Sequence, residues 1–311
     1  MSKNILIIGG TRYFGALLVA RLIDAGHHLT LATRGLAADS FGDRVDRVRV
    51  DRNDGDAMRH AFRGASFDIV FDQMCYTPLQ AAVAREIFAG RVARYVMTST
   101  IEVYRDLLTA QSGPFRESDL NLALDAPAAP TAWHDADWAA AHYGLGKRQA
   151  EACFNEATDL PFVAVRVGHV LAGTGDFTGR LPQHIARALR GDAGVAAGHG
   201  ESSFISAANI ARFLHWVGDK QFVGAINAAD HVTWSAHALE QRIATLAGGI
   251  RLDTVAPQTE LPFDYPTAFT MDTTRASTLG YVFDDTRSWL DAVLRQQLLA
   301  LHVQPQQSEA V

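Results

Sequence analysis

Residues 5–15 read Ile-Leu-Ile-Ile-Gly-Gly-Thr-Arg-Tyr-Phe-Gly. A short apolar run of strand type passes through a tight glycine turn into a helix-forming stretch. Few folds use that order at such close quarters. Glycines let the backbone approach a pyrophosphate, and a helix N-terminus offers N–H groups and a positive dipole end. Gly9 and Gly15 take the first and last places of a G-x-x-G-x-x-G fingerprint, with Arg12 at the middle glycine. Thr11, Tyr13 and Phe14 complete the loop. A glycine loop alone is also found as a plain turn. Its place directly after an apolar strand points to a dinucleotide site.

The chain beyond it keeps alternating. Strand-like runs at Leu29–Ala32, Arg47–Val50, Asp68–Phe71, Tyr95–Met97 and Phe162–Val167 are interleaved with helix-like segments at Phe14–Ala25, Leu79–Ala89 and Trp138–Ala157. In the first of these helices Phe14, Leu17, Leu18 and Leu22 are expected on the buried face. Such alternation implies an α/β protein with a parallel sheet covered on both faces. After residue 168 the pattern loosens. Gly173–Gly179 and Gly191–Glu201 read as loops, with helices near 207–217, 236–247 and 287–301. The expected division is a dinucleotide-binding domain over 1–168, a mainly substrate-binding lobe over 169–303 that returns some segments to the first domain, and a polar tail over 304–311.

The second strand bears on which dinucleotide binds. A site for NAD wants an acid there to hold both ribose hydroxyls. Here the strand ends in Thr33-Arg34-Gly35. Arg34, with Arg12 near it, suits a 2′-phosphate, so the expected cofactor is NADP, with NAD as the alternative. Asp51, after the third strand, is placed to accept from an adenine amino group or to cap the strand end.

Composition sharpens one further motif. Of the 28 basic residues only Lys3, Lys147 and Lys220 are lysine. Lys147 follows Tyr143 by four, in Tyr-Gly-Leu-Gly-Lys, so a helix places both on one face. A phenol is a poor acid or base at neutral pH. A neighbouring ammonium favours its phenolate, and the pair can then exchange a proton with a carbinol. Arginine, this chain's usual cation, suits that task poorly. A hydroxyl from Thr98, Ser99 or Thr100, at the end of an earlier strand, would complete the group.

These residues together resemble the extended or atypical short-chain dehydrogenases/reductases of the NAD(P)-dependent epimerase/dehydratase superfamily. The matching pieces are Gly9–Gly15, Thr-Ser-Thr-Ile-Glu-Val-Tyr at 98–104, Tyr143–Lys147, Arg-Val-Gly-His at 166–169, Ser203–Ala211, and Met271-Asp-Thr-Thr-Arg-Ala followed by Leu279-Gly-Tyr281. They run in the expected order over residues 4–295. The resemblance implies a Rossmann-type doubly wound parallel sheet, a smaller C-terminal substrate lobe and a homodimer. It selects Thr100 over Ser99, makes Tyr143 the general acid/base and Lys147 its electrostatic and ribose partner. It also runs Asp72–Cys75, with Gln73 and Met74, past the cofactor, and sets Val167 beside it.

The chain departs from that pattern in three places. Ile101 stands where sugar-nucleotide dehydratases carry an acid, which disfavours 4,6-dehydration. Glu102 remains as a substrate-side acid or a helix-end charge. His169 replaces the asparagine that many sugar-nucleotide enzymes use on substrate phosphate, and is either a pocket residue or a structural one. The 105–142 stretch is longer than many epimerases need and is expected to form a lid or pocket wall. Within it, His134 and Asp135 lack a third ligand, so no metal is expected.

Two functions from different classes remain open. One is an NAD(P)-dependent enzyme moving hydride at a secondary alcohol or carbonyl, as an epimerase (a sugar nucleotide being one substrate) or as an NADPH-dependent carbonyl reductase of a non-sugar metabolite. The other is a non-catalytic NADP sensor or RNA-binding protein on the same fold. The net charge of −6 argues against a nucleic-acid partner. Met1-Ser-Lys-Asn shows no signal-peptide pattern, and no run of about 18 apolar residues occurs. The expectation is a cytoplasmic protein with a small-molecule substrate and no membrane contact.

Overall fold

In β1 (Asn4–Ile8) the side chains alternate between two cores. Ile5 and Ile7 join one apolar cluster, Leu6 and Ile8 another, and all four are buried. A strand buried on both faces needs helices above and below it. The computed structural model of the chain, which describes residues 1–125, 131–194, 200–255 and 261–303, supplies them.

The strands β2 (His28–Thr33), β3 (Asp46–Arg49), β4 (Phe67–Asp72), β5 (Val92–Thr100) and β6 (Phe162–Val167) join β1 and the strand Gly224–Ala228 in a seven-stranded sheet. Its order is Gly224–Ala228, β6, β5, β4, β1, β2, β3, and every neighbouring pair is parallel. The fold is therefore the Rossmann-type doubly wound α/β sheet. α1 (Tyr13–Asp24) packs beside the helix Ala207–Gly218 on one face. α2 (Gly55–Ala61) and α3 (Pro78–Phe88) cover the other, together with α5 (Tyr143–Asn155), which follows the short α4 (Ala136–Ala141). The winding direction reverses between β1 and β4, and the register sets Ile8 level with Ala32 and Asp72. That reversal opens a crevice at the strands' C-terminal ends, where such sheets bind ligands.

A third apolar cluster lies beyond those ends. Tyr104, Phe115, Phe204, Phe263 and Phe269 pack there with Leu181 and Ile185 of α6 (Arg180–Leu189) and with Leu290 and Leu294 of the C-terminal helix. The tail from 304 falls outside the described residues. Among the described residues, no helix is long and apolar enough to cross a membrane.

Three expectations change. Leu17 is exposed, and the buried stripe of α1 is Gly15, Leu18, Val19 and Leu22. The stripe is set by Gly15, whose face continues at i+3, i+4 and i+7. The helix expected over 138–157 is two helices meeting at His142, whose ψ of 32° leaves the helical range. Both the His142 backbone N–H and its ring Nδ1 close on the Trp138 carbonyl, at 3.0 and 2.8 Å, which ends α4 there. α6 had no counterpart in the sequence pattern. It starts after Gly179 rather than a side-chain cap, and Pro182 falls in its first turn, where no donor is needed.

Candidate active site

The crevice holds a cleft of about 430 Å³. Ten residues picked from the sequence line it: Gly9, Thr11, Arg12, Tyr13, Phe14, Gly15, Arg34, Asp51, Gln73 and Met74. Gly9 and Gly10 turn the chain at φ +99° and +89°, values that only glycine adopts without strain. Tyr13 also has positive φ, at 56°, and its hydroxyl donates to the Val170 carbonyl at 2.6 Å. That bond ties the glycine turn to β7 (His169–Leu171) across the cleft. Asp51 accepts from the Asn53 N–H at 2.9 Å, so one of its oxygens serves a local turn at the rim.

Beneath the cleft, Asp72 accepts from Arg52 at 2.8 Å, from Tyr95 at 2.6 Å and from the Met74 N–H at 3.0 Å. This buried knot fixes the Gln73–Tyr76 stretch as the cleft floor. The residues present fit a dinucleotide on two counts. A Cβ at Gly15 would lie 2.3 Å from Gln73 Oε1 and 3.1 Å from the Gly10 Cα, so a side chain there would have to displace Gln73 from the cleft floor. Two lining residues, Arg52 and Gln73, each keep a buried nitrogen without a hydrogen-bond partner, Nη1 and Nε2.

Lys147 and Val167 stand apart from that lining. The Val167 side chain is in the α1 core, so only its backbone could meet a ligand. Lys147 lies under the floor with 1% of its surface exposed. Its Nζ donates to the Thr98 carbonyl at 2.7 Å and sits 4.4 Å from the centre of the Tyr76 ring and 5.8 Å from that of Tyr143. Burial pulls its pKa down to about 8.

Tyr143 opens α5 and keeps 37% of its surface exposed. Protein still crowds its hydroxyl, and this desolvation, followed by Tyr76, pushes the phenol up, with the Thr100 hydroxyl acting the other way. The lowering expected from Lys147 does not appear; the cation that acts on this phenol is Arg180, and burial outweighs it. Thr100 Oγ1 accepts from the Glu102 N–H at 3.2 Å and is the hydroxyl beside Tyr143. Ser99 instead donates to buried Glu151 at 2.5 Å, away from Tyr143. The two hydroxyls thus have different partners, Ser99 facing Glu151 and Thr100 facing Tyr143.

On the substrate side, Glu102 is engaged by Arg105 at 2.5 Å and approached by the Tyr265 hydroxyl at 3.5 Å. His169 Nε2 meets that same hydroxyl at 2.9 Å, and its ring stacks on Tyr265. His169 is buried, and burial holds its pKa well below the ordinary value. Its ring also packs against Phe204, Phe263 and Phe269. Asp135 caps α4 by accepting from the Asp137 and Trp138 N–H groups, each at 2.9 Å. Among the described residues no three potential ligands gather as a metal site.

Parts of the described 105–142 stretch pack beside α5, while the Gly113 and Phe115 N–H groups donate to the Ala268 and Thr270 carbonyls. Trp133 is buried, donates to Gln149 at 3.0 Å and lies edge-on to Trp138, which stacks on His142. Residues 126–130 fall outside the described part.

Two features escaped the sequence reading. One is a buried polar network in which Arg166 binds Glu151 at 2.7 Å and Tyr104 at 2.9 Å, and Tyr104 donates to Asn227 at 2.8 Å. Glu151 lies four residues after Lys147, the spacing that could have flagged it. The other is Tyr76, which carries no motif.

Comparison with known proteins fits this arrangement. Residues 5–229 match the model of the NAD dependent epimerase/dehydratase family. The chain belongs to that family. A 2′-dehydrokanamycin reductase from Streptomyces kanamyceticus is 28% identical over 204 residues, 63% of this chain and 52% of that protein. Chloroplast stem-loop binding protein of 41 kDa b from Arabidopsis thaliana is 35% identical over 83 residues, 22% of each chain. The chain thus matches about half or less of these curated relatives' length. The UDP-glucose 4-epimerase of Thermotoga maritima superposes with a TM-score of 0.72 at 16% identity, covering 96% of this chain and 98% of that one. At that identity the likeness speaks for the fold. Membership of the family supports a nicotinamide cofactor and an enzymatic role.

Proposed function

We propose that this chain is an NADP-dependent enzyme that moves hydride at a secondary alcohol or carbonyl of a small molecule, working as a carbonyl reductase. The observation that carries the reading is the meeting of Tyr143, Thr100 and buried Lys147 beside Tyr76, which lines the cleft. A bound nicotinamide supplies or accepts the hydride. Gly9–Gly15 would hold the pyrophosphate, with Gln73 and Met74 along the floor, and Asp51 would take the adenine amino group. Tyr143 holds the proton at the reacting oxygen, and the Thr100 hydroxyl hydrogen-bonds the same oxygen. Lys147 would keep positive charge beneath them and would hold the ribose hydroxyls.

Sequence likeness to a reductase and the arginines Arg12 and Arg34 at the cleft rim favour the NADPH-dependent direction. Among the described residues neither guanidinium is held in an ion pair. Arg34→Ala is expected to weaken NADPH binding about tenfold, about 1.4 kcal/mol, and to leave NADH binding unchanged. Fluorescence titration of the two cofactors checks this, and equal losses for both would remove Arg34 as the 2′-phosphate partner.

An epimerase would use the same side chains, and the shared fold keeps that reading second. A 4,6-dehydratase fits less well, because Ile101 is fully buried and Glu102 is paired with Arg105. Mass spectrometry of protein purified without added cofactor separates the readings. Retained oxidised cofactor supports an epimerase. Empty protein that consumes NADPH stoichiometrically with a carbonyl supports the reductase. Cofactor binding with no turnover on any carbonyl or alcohol would favour a sensor or RNA binder.

A further inference from the structure

Lys147 carries a charge into an almost dry site without a carboxylate to match it. Among the described residues, no acid lies within ion-pair distance of its Nζ. Two acids act on it from further off, Asp72 at the end of β4 and Glu151 on its own helix. Both are already committed, Asp72 to Arg52 and Tyr95, Glu151 to Arg166 and Ser99. Cys75, in the loop after β4, and Arg52, after β3, complete the titratable and charged groups that act on it, beside the two phenol rings.

Of those rings, Tyr76 is the nearer, with its centre 4.4 Å from Nζ. It is also fixed in place. A Cβ at Gly146 would lie 2.3 Å from the Tyr76 carbonyl, so the helix turn carrying Lys147 presses directly on the Tyr76 backbone. The Tyr76 hydroxyl points elsewhere, to Met74 Sδ at 3.5 Å. What Lys147 meets is the ring face.

We propose that the face of the Tyr76 ring keeps Lys147 charged in its buried site, making Tyr76 a positioning residue for the Tyr143–Lys147 pair. An aromatic face carries negative quadrupole charge and attracts a cation more strongly when water is excluded. The use made of that charge rests on the function proposed above; the charge itself does not. Because burial has already brought Lys147 to about 8, little further loss would leave it neutral at working pH.

The chain has three lysines, which makes the test direct. Full-length protein grown on carbon-13 lysine gives three side-chain Cε signals, and their pH titration reads Lys147 alone. Tyr76→Phe keeps the ring and should leave the Lys147 midpoint unchanged. Tyr76→Leu keeps an apolar cover without the quadrupole and should lower the midpoint by about one pH unit. The Lys3 and Lys220 signals report whether the variant is folded. If Tyr76→Leu fails that check, pentafluorophenylalanine at position 76 keeps the ring's shape, weakens its negative face, and should lower the midpoint in the same direction. An unmoved or raised midpoint in the leucine or fluorinated protein overturns the proposal, as does an equal shift in Tyr76→Phe. A protein that shows the shift but turns over no substrate refutes the functional reading and leaves this one standing.

Discussion

Tyr143→Phe is expected to cut turnover by about 10²–10⁴-fold while leaving NADPH affinity nearly unchanged. The substitution removes one oxygen and the proton it holds. The ring that packs 6.0 Å from Tyr76 is retained, and so is its place at the start of α5. Thr100 keeps its other role, capping the turn that begins at Ile101, so the fold has no reason to change. Binding by the glycine turn and by Arg34 does not involve the phenol. The loss should therefore fall on kcat, with the NADPH dissociation constant steady. Steady-state rates and a fluorescence titration on the same preparation decide it. Undiminished turnover would remove Tyr143 as the proton carrier, and a parallel loss of NADPH binding would make its role structural.

The part of this site that could be read from the sequence is the part written in local spacing. Tyr143 to Lys147 lie within one helix, and Gly9 to Gly15 within one tight strand-to-helix turn, so local geometry fixes each relation. Most central strands followed from apolar runs, because a strand buried on both faces has little room for polar residues; the strand Gly224–Ala228 had no counterpart in the sequence pattern. The limits of the 138–157 helix did not follow. The break at His142 depends on a side chain closing on the Trp138 carbonyl, which propensity does not reveal. The partner of His169 is Tyr265, 96 positions away, which no local pattern reveals. Arg166 and Glu151 were each visible, but their pairing belongs to strand against helix. Tyr76 was least legible of all. Its effect comes from a ring face over a lysine that lies 71 positions later, brought there by the pressing of α5 on the loop after β4.

Lys147→Met is expected to raise stability at pH 7 by about 2 kcal/mol while removing the charge that the proposed proton shuttle would use. Burial lowers the Lys147 pKa from 10.5 to about 8. That difference corresponds to about 3 kcal/mol against the charged form in the folded protein. Methionine is linear and apolar and suits the same channel. It forfeits the hydrogen bond to the Thr98 carbonyl, which offsets about 1 kcal/mol. The pH dependence identifies the cause. Below pH 8 both folded and unfolded parent carry the proton, and the whole cost is present. Between about 8 and 10.5 the folded parent has released its proton while the unfolded chain still holds one. There the parent gains stability as pH rises. The advantage of the methionine variant should shrink across that range and reverse slightly above it, leaving only the lost hydrogen bond. Urea unfolding of both proteins at pH 7 and near pH 10 measures this. A difference that stays constant between the two would mean that packing, rather than a buried charge, sets the balance. A shrinking difference would show that the protein accepts a less stable fold to keep a buried ammonium near the Tyr143 ring.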